Sequence, residues 1–196
     1  MSAKNSHTTA DYIPWEVAIN LVRRLYKDGD YRMSAFIATG IFTGLRVSDL
    51  RMLRWNDLMG GDKLVVIEKK TKKRREIRLN HDFQAHIRDC YHALEIFNPN
   101  EYVFLSQKRV VFSVQRLNVK LKEIKARYRI KVDNFSCHSL RKSLGREVFN
   151  KASDSGKEMS LLMLSELYGH SSVQITKRYL GLKQEEILAT YDLLSF

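Results

Sequence analysis

Apolar residues recur at helical intervals almost from the start of the chain. In "PWEVAINLVRRLYKDG", Val17, Leu21 and Leu25 share one face of a helix entered at Pro14 and ended at Gly29. The next run, "YRMSAFIATGIFTG", is apolar nearly all round, the pattern of a helix central to the core, with Gly44 as its left-handed cap. "RVSDLRMLRW" then restarts as a third helix. The period changes in "KLVVIEKKTKKRREIRL", where a β-branched run, a polar basic centre and a second alternating run predict an antiparallel hairpin. From Asn80 the spacing is helical again, over about 80–97, 112–128, 138–151, 157–168, 172–180 and 184–194. Pro99 between Asn98 and Asn100 marks a loop, and "NKASDSGKE" marks a second one. Residues 1–12 are polar and aperiodic, and read as a flexible arm or linker. No repeat, low-complexity tract or interior boundary interrupts the rest, so a mainly helical domain with one small β-hairpin, an α+β fold, is expected.

Composition narrows the class. Of 196 residues 44% are apolar, enough for a core, and 34 Lys and Arg outnumber 22 acidic residues for a net charge of +12. Such an excess points to a polyanion, because Lys and Arg neutralise phosphates and release counterions. Nucleic acid is the first candidate. A membrane surface is the second, but no long basic amphipathic helix supports it. No segment approaches 18 uninterrupted apolar residues and no secretory leader pattern opens the chain. Cys90 and Cys137 are not spaced as a metal pair and read as free thiols of a reducing, cytoplasmic compartment.

Four places carry polar groups that a plain helical domain does not need. In "TGLRVSDL", Arg46 follows the Gly44 turn near a helix start, where backbone N–H groups and the dipole favour phosphate; a surface pairing with Asp49 or Asp57 is the ordinary alternative. In "EKKTKKRREIRL" seven of twelve residues are basic, a concentration that suits delivery of a lysine to DNA, although charge also protects a strand edge. "CHSLRKS" sets His138 and Arg141 three apart on one helix face, an imidazole beside a guanidinium able to grip phosphate. In "LYGHSSVQITKRYLG", Ser171 and Gln174 have capping-box spacing, so His170 sits in the turn before a helix and Tyr179 about two turns along it. Lys177 and Arg178 make the surroundings of Tyr179 electropositive. The sequence has no H-E-x-x-H, no P-loop and no carboxylate cluster fit for Mg²⁺, and no cofactor is expected.

The ordered set "TGLR", a hairpin lysine, "HSLR", "GHSS" and a tyrosine nine residues beyond that last histidine resembles the tyrosine recombinase (phage integrase) family, from about Ile13 to the C-terminus. The resemblance implies that family's catalytic-domain fold and a metal-free transesterification. Position by position, it makes Arg46 and Arg141 the phosphate-binding arginines, His138 and His170 the two box histidines, and Tyr179 the nucleophile. Lys70, before Thr71, becomes the hairpin general acid, with Lys69, Lys72 and Lys73 a short register slip away. Lys69, Lys72, Lys73, Arg74, Lys142 and Lys177 are the expected DNA-binding residues. The implied partners are double-stranded DNA, further copies of the chain (a tetramer on DNA, a monomer when free) and host DNA-bending factors, without a membrane, in the bacterial cytoplasm and nucleoid. Residues 183–196 are expected as a terminal helix with Ile187, Leu188, Tyr191 and Leu194 in one stripe, docking on a neighbouring protomer. Two departures stand out. Only about a dozen residues precede the catalytic region, so the chain is either a piece of a larger integrase or a short single-domain member. The segment around "ASDSGKEMS" is also slightly long. A catalytically lapsed DNA-binding regulator and a type IB topoisomerase are the competing functions.

Overall fold

The computed structural model describes residues 9–193. Its order is α1 (Trp15–Lys27), α2 (Tyr31–Thr43), α3 (Val47–Leu50), α4 (Trp55–Met59), β1 (Lys63–Ile67), β2 (Arg74–Arg78), α5 (His81–Ala93), α6 (Val114–Tyr128), α7 (Cys137–Lys151), α8 (Lys157–Tyr168), α9 (Val173–Leu180) and α10 (Leu182–Tyr191). The chain divides into two compact units, residues 1–143 and 144–196. The sequence shows no such boundary because it falls inside the continuous helix α7, where no change of period marks it.

In the N-terminal unit α2 is the central rod, buried continuously from Met33 to Ile41, as its all-round apolar pattern requires. Asp30 opens it by accepting from Met33 N–H, and Gly44 closes it at φ 57°. The helix α1 lays Ala18, Leu21, Val22 and Leu25 into the same core. Strands β1 and β2 form one antiparallel hairpin in which Leu64 opposes Ile77 and Val66 opposes Arg75. The expected single helix over "RVSDLRMLRW" is instead two short ones. Between them Leu53 O accepts from Val103 N–H and Arg54 bridges Tyr102, a distant pairing that draws the backbone out of helix. The expected arm lies outside the described residues up to residue 8. Its last part is tied down, since Asp11 exchanges two hydrogen bonds with Asn134.

The C-terminal unit has its own small core of Leu161, Leu164, Tyr168, Leu180 and Leu182. Gly145 of α7 permits a close approach there, because a Cβ would stand 2.6 Å from Leu180 Cδ2 and from the Tyr168 hydroxyl. The long loop after α7 holds one turn of 3₁₀ helix over Asp154–Gly156.

Candidate active site

Arg46 is the residue before α3, and its neighbour Gly44 turns the chain out of α2 at positive φ. Its Nη1 donates to Glu68 Oε2 at 2.5 Å, so its ion pair is with Glu68 rather than with Asp49 or Asp57. Arg141, 5% exposed on α7, donates from Nη1 to Gly44 O, two residues before Arg46. Two arginines far apart in sequence therefore meet around the Gly44 turn. The positive charge of Arg141 is also felt at Glu68.

The start of α7 sets the phase of its polar face. Ser136 Oγ accepts from His138 N–H at 3.3 Å, Ser139 Oγ accepts from Ser136 N–H at 3.0 Å, and Asn118 Oδ1 accepts from Cys137 N–H at 3.0 Å. The first-turn donors are thereby satisfied locally. His138 projects to the surface on the face of Arg141. Partial burial, then the charges of Arg141 and Lys142, hold its imidazole below the ordinary pKa.

Lys70 is exposed in the turn between β1 and β2. Lys69, Lys72, Lys73 and Arg74 are exposed around it, and Lys72 adopts the left-handed conformation at φ 59°. Two other expected DNA contacts have different surroundings. Lys142 is 9% exposed and its Nζ donates to Ala10 O at 2.6 Å, which turns it inward. Lys177 is paired with Glu186 at 2.8 Å. Three residues around the turn were not singled out by sequence: Glu68, Thr71 and Arg75. Alternation was the available signal, because Leu64, Val66 and Glu68 lie on one strand face, and Arg75 and Ile77 lie on the opposing strand's inward face.

The C-terminal unit holds the other two positions. Gly169 closes α8 at φ 63°, and His170 N–H donates back to Ser165 O at 2.9 Å, a helix-ending turn that fixes where His170 leaves the backbone. The N-cap of α9 is Ser172, whose Oγ accepts from Ile175 N–H at 3.3 Å; the expected cap, Ser171, is one residue early. Two adjacent serines offer the same side chain, and the inward facing of Thr176 and Leu180 selects the register. His170 Nδ1 lies 2.9 Å from the Oγ1 of fully buried Thr176, a hydrogen bond that holds the ring plane. Tyr179 is half-buried. Its ring centroid is 5.2 Å from His170 and 5.5 Å from buried Tyr168, and Tyr168 is 5.4 Å from His170, so three rings close a triangle.

The profile of the Phage integrase family matches residues 18–186. The chain is 29% identical over 164 residues to the probable integrase/recombinase YoeC of Bacillus subtilis (strain 168), covering 83% of this chain and 82% of YoeC. It is 26% identical over 150 residues to tyrosine recombinase XerC of Xanthomonas axonopodis pv. citri (strain 306), spanning 76% of this chain and about half, 47%, of that relative. Among solved structures, XerA recombinase superposes with a TM-score of 0.69 at 21% identity, over 98% of this chain and 66% of that one. XerH bound to its palindromic difH substrate superposes at 0.68 with 17% identity, over 95% of this chain and 55% of that one. At these identities the structures speak for the fold. With the profile covering most of its length, the chain belongs to the phage integrase family, the tyrosine recombinases.

Proposed function

We propose that this chain is a site-specific DNA recombinase that cleaves and rejoins duplex DNA through a 3′-phosphotyrosine on Tyr179. The observation that carries the reading is the meeting of Arg46 and Arg141 at the Gly44 turn, a preformed pair of guanidinium groups of the kind that stabilises charge on a phosphate's non-bridging oxygens. Tyr179 Oη attacks phosphorus, its proton passing to His138, and the bond to the 5′ oxygen breaks. Lys70 protonates that leaving oxygen, and His170 donates a hydrogen bond to the phosphate. The phosphotyrosine keeps the bond energy, so a 5′-hydroxyl from a partner strand reverses the steps without ATP.

The lowered pKa of His138 fits this role, since a neutral imidazole accepts a proton and an imidazolium does not. Arginines and a lysine supply the positive charge, so the reaction is proposed to run without metal. Lys69, Lys72, Lys73 and Arg74 are proposed to meet the DNA backbone from the hairpin turn. The active assembly is proposed to be a tetramer on DNA, built from free monomers through α10, with host bending factors assisting.

Covalent capture on a nicked suicide substrate tests the chemistry. The parent chain should form an adduct with or without chelator, and Tyr179→Phe should bind DNA with no adduct. Gel-shift binding by the parent without any adduct would instead identify a lapsed regulator.

A further inference from the structure

Strand alternation carries the inward face of β1 past its last paired residue. Leu64 and Val66 point inward, and Glu68 continues that face at 4% exposure. A carboxylate is tolerated in such a place only when its charge is matched. Glu68 Oε2 accepts from Arg46 Nη1 at 2.5 Å and from Thr71 Oγ1 at 2.7 Å, while Oε1 lies 3.7 Å from Arg75 Nη1. Burial acts to raise its pKa. The hydrogen bonds from Thr71 and Arg46, with the charges of Arg46 and Arg141, outweigh burial and leave Glu68 below the ordinary carboxylate range.

The same residue organises the turn through its main chain. Glu68 N–H donates to Lys73 O at 3.0 Å, and Glu68 O accepts from Lys72 N–H at 2.8 Å. One residue on, Lys69 N–H donates to Asp49 Oδ1 at 3.0 Å, and Asp49 lies in the short helix that Arg46 precedes. Lys70 is thus flanked by two anchored neighbours, Lys69 on Asp49 and Thr71 on Glu68, while its own side chain stays exposed. The hairpin tip is a built turn fastened to the Arg46 segment.

We propose that Glu68 is a positioning residue that couples the Arg46 guanidinium to the turn presenting Lys70, so that phosphate binder and proton donor keep one fixed geometry. This inference rests on the roles given above to Arg46 and Lys70. The plainer alternative is that Glu68 serves only as a counterion for buried arginines. That role would not make its loss depend on the leaving group.

The full chain can be assayed for adduct formation on suicide substrates carrying either the natural 5′ oxygen or a 5′-bridging sulfur, which departs without a proton. Glu68→Gln should bind DNA within about threefold of the parent and slow capture on the oxygen substrate by on the order of tenfold or more. A large part of that loss should return on the sulfur substrate. Thr71→Val, which leaves the Arg46–Glu68 pair intact, should show a smaller loss that sulfur restores fully. Combined with Lys70→Ala, Glu68→Gln should cost less than the product of the two separate losses. Equal slowing of Glu68→Gln on both substrates, or multiplicative losses in the double variant, overturns the coupling. If Glu68→Gln does not fold, Thr71→Val decides: sulfur-dependent rescue supports the coupling and a parent-like rate on oxygen overturns it. Lys70→Ala separates this inference from the reading beneath it. A Lys70→Ala defect that sulfur leaves uncorrected overturns the general-acid role and the inference together. A corrected one beside a Glu68→Gln variant of parent rate overturns the inference alone.

Discussion

Cys137 and His138 are adjacent in the first turn of α7, and one physical cause moves their pKa values in opposite directions. Burial disfavours whichever form is charged, so the Cys137 thiol is pushed up to about 12 while the His138 imidazole is lowered, with Arg141 and Lys142 adding to the latter. For His138 the folded value lies below the unfolded one, near 6.5, so the unfolded chain binds the extra proton. The stability this represents is therefore whole above the unfolded pKa and is lost as pH falls through the folded one. His86, half-buried beside Ser34 with its Nε2 3.0 Å from Ser34 Oγ, is lowered in the same sense by desolvation. Urea midpoints measured from pH 7.5 to 5 should fall for the parent and fall less steeply for His138→Gln, with the His86 share remaining. A parallel pair of curves would mean that His138 is solvated like a free imidazole.

At the level of elements, the helices were legible wherever apolar spacing and a cap agreed. Helix α2 is the clearest case: Gly44 closes it and an all-round apolar pattern buries it, both readable in order, while the Asp30 cap that opens it is seen only in the structure. The break between α3 and α4 was hidden because its cause is the Val103 N–H bond to Leu53 O, fifty positions away by number and silent in local periodicity. The site divides along the same line. Arg46, Lys70, His138, Arg141, His170 and Tyr179 are proposed from ordered motifs, whereas Glu68 and Arg75 lay unnoticed in a stretch dominated by exposed charge. Close approach is equally invisible to pattern reading. A Cβ on Gly40 of α2 would stand 2.6 Å from Leu140 Cδ1 and 2.9 Å from its Cβ on α7, the helix that carries Arg141. Gly40→Ala should thus destabilise by about 1–3 kcal/mol, overpacking outweighing the usual helix gain of alanine. A rise in melting temperature for that variant would show that Leu140 yields freely.

At the scale of the whole molecule, a net charge of +12 favours any phosphate backbone, but charge alone does not arrange the copies that the proposed strand exchange requires. Arrangement needs a surface with shape, and α10 offers one. Gly181, at φ 82°, ends α9 and starts α10 at once, and Leu182 is buried directly after it. Polar residues fasten the helix to its own unit, with Arg146 paired to Glu185 at 2.8 Å and Lys177 to Glu186 at 2.8 Å. The apolar stripe expected from sequence faces the other way: Ile187, Leu188 and Tyr191 are 43%, 55% and 64% exposed, and Leu194 lies outside the described residues. A helix that only covered its own core would bury the stripe and expose the acids. Here the stripe is left as open as the acids, Glu185 and Glu186 being 54% and 56% exposed, which supports its use between protomers. Changing Ile187, Leu188 and Tyr191 together to Ser should therefore leave the melting temperature within about 2 °C of the parent, since exposed substitutions cost little. Binding of a single DNA half-site should persist, while synaptic complexes and strand exchange are lost. A large fall in melting temperature with synapsis intact would place the stripe against its own chain and remove α10 from the assembly.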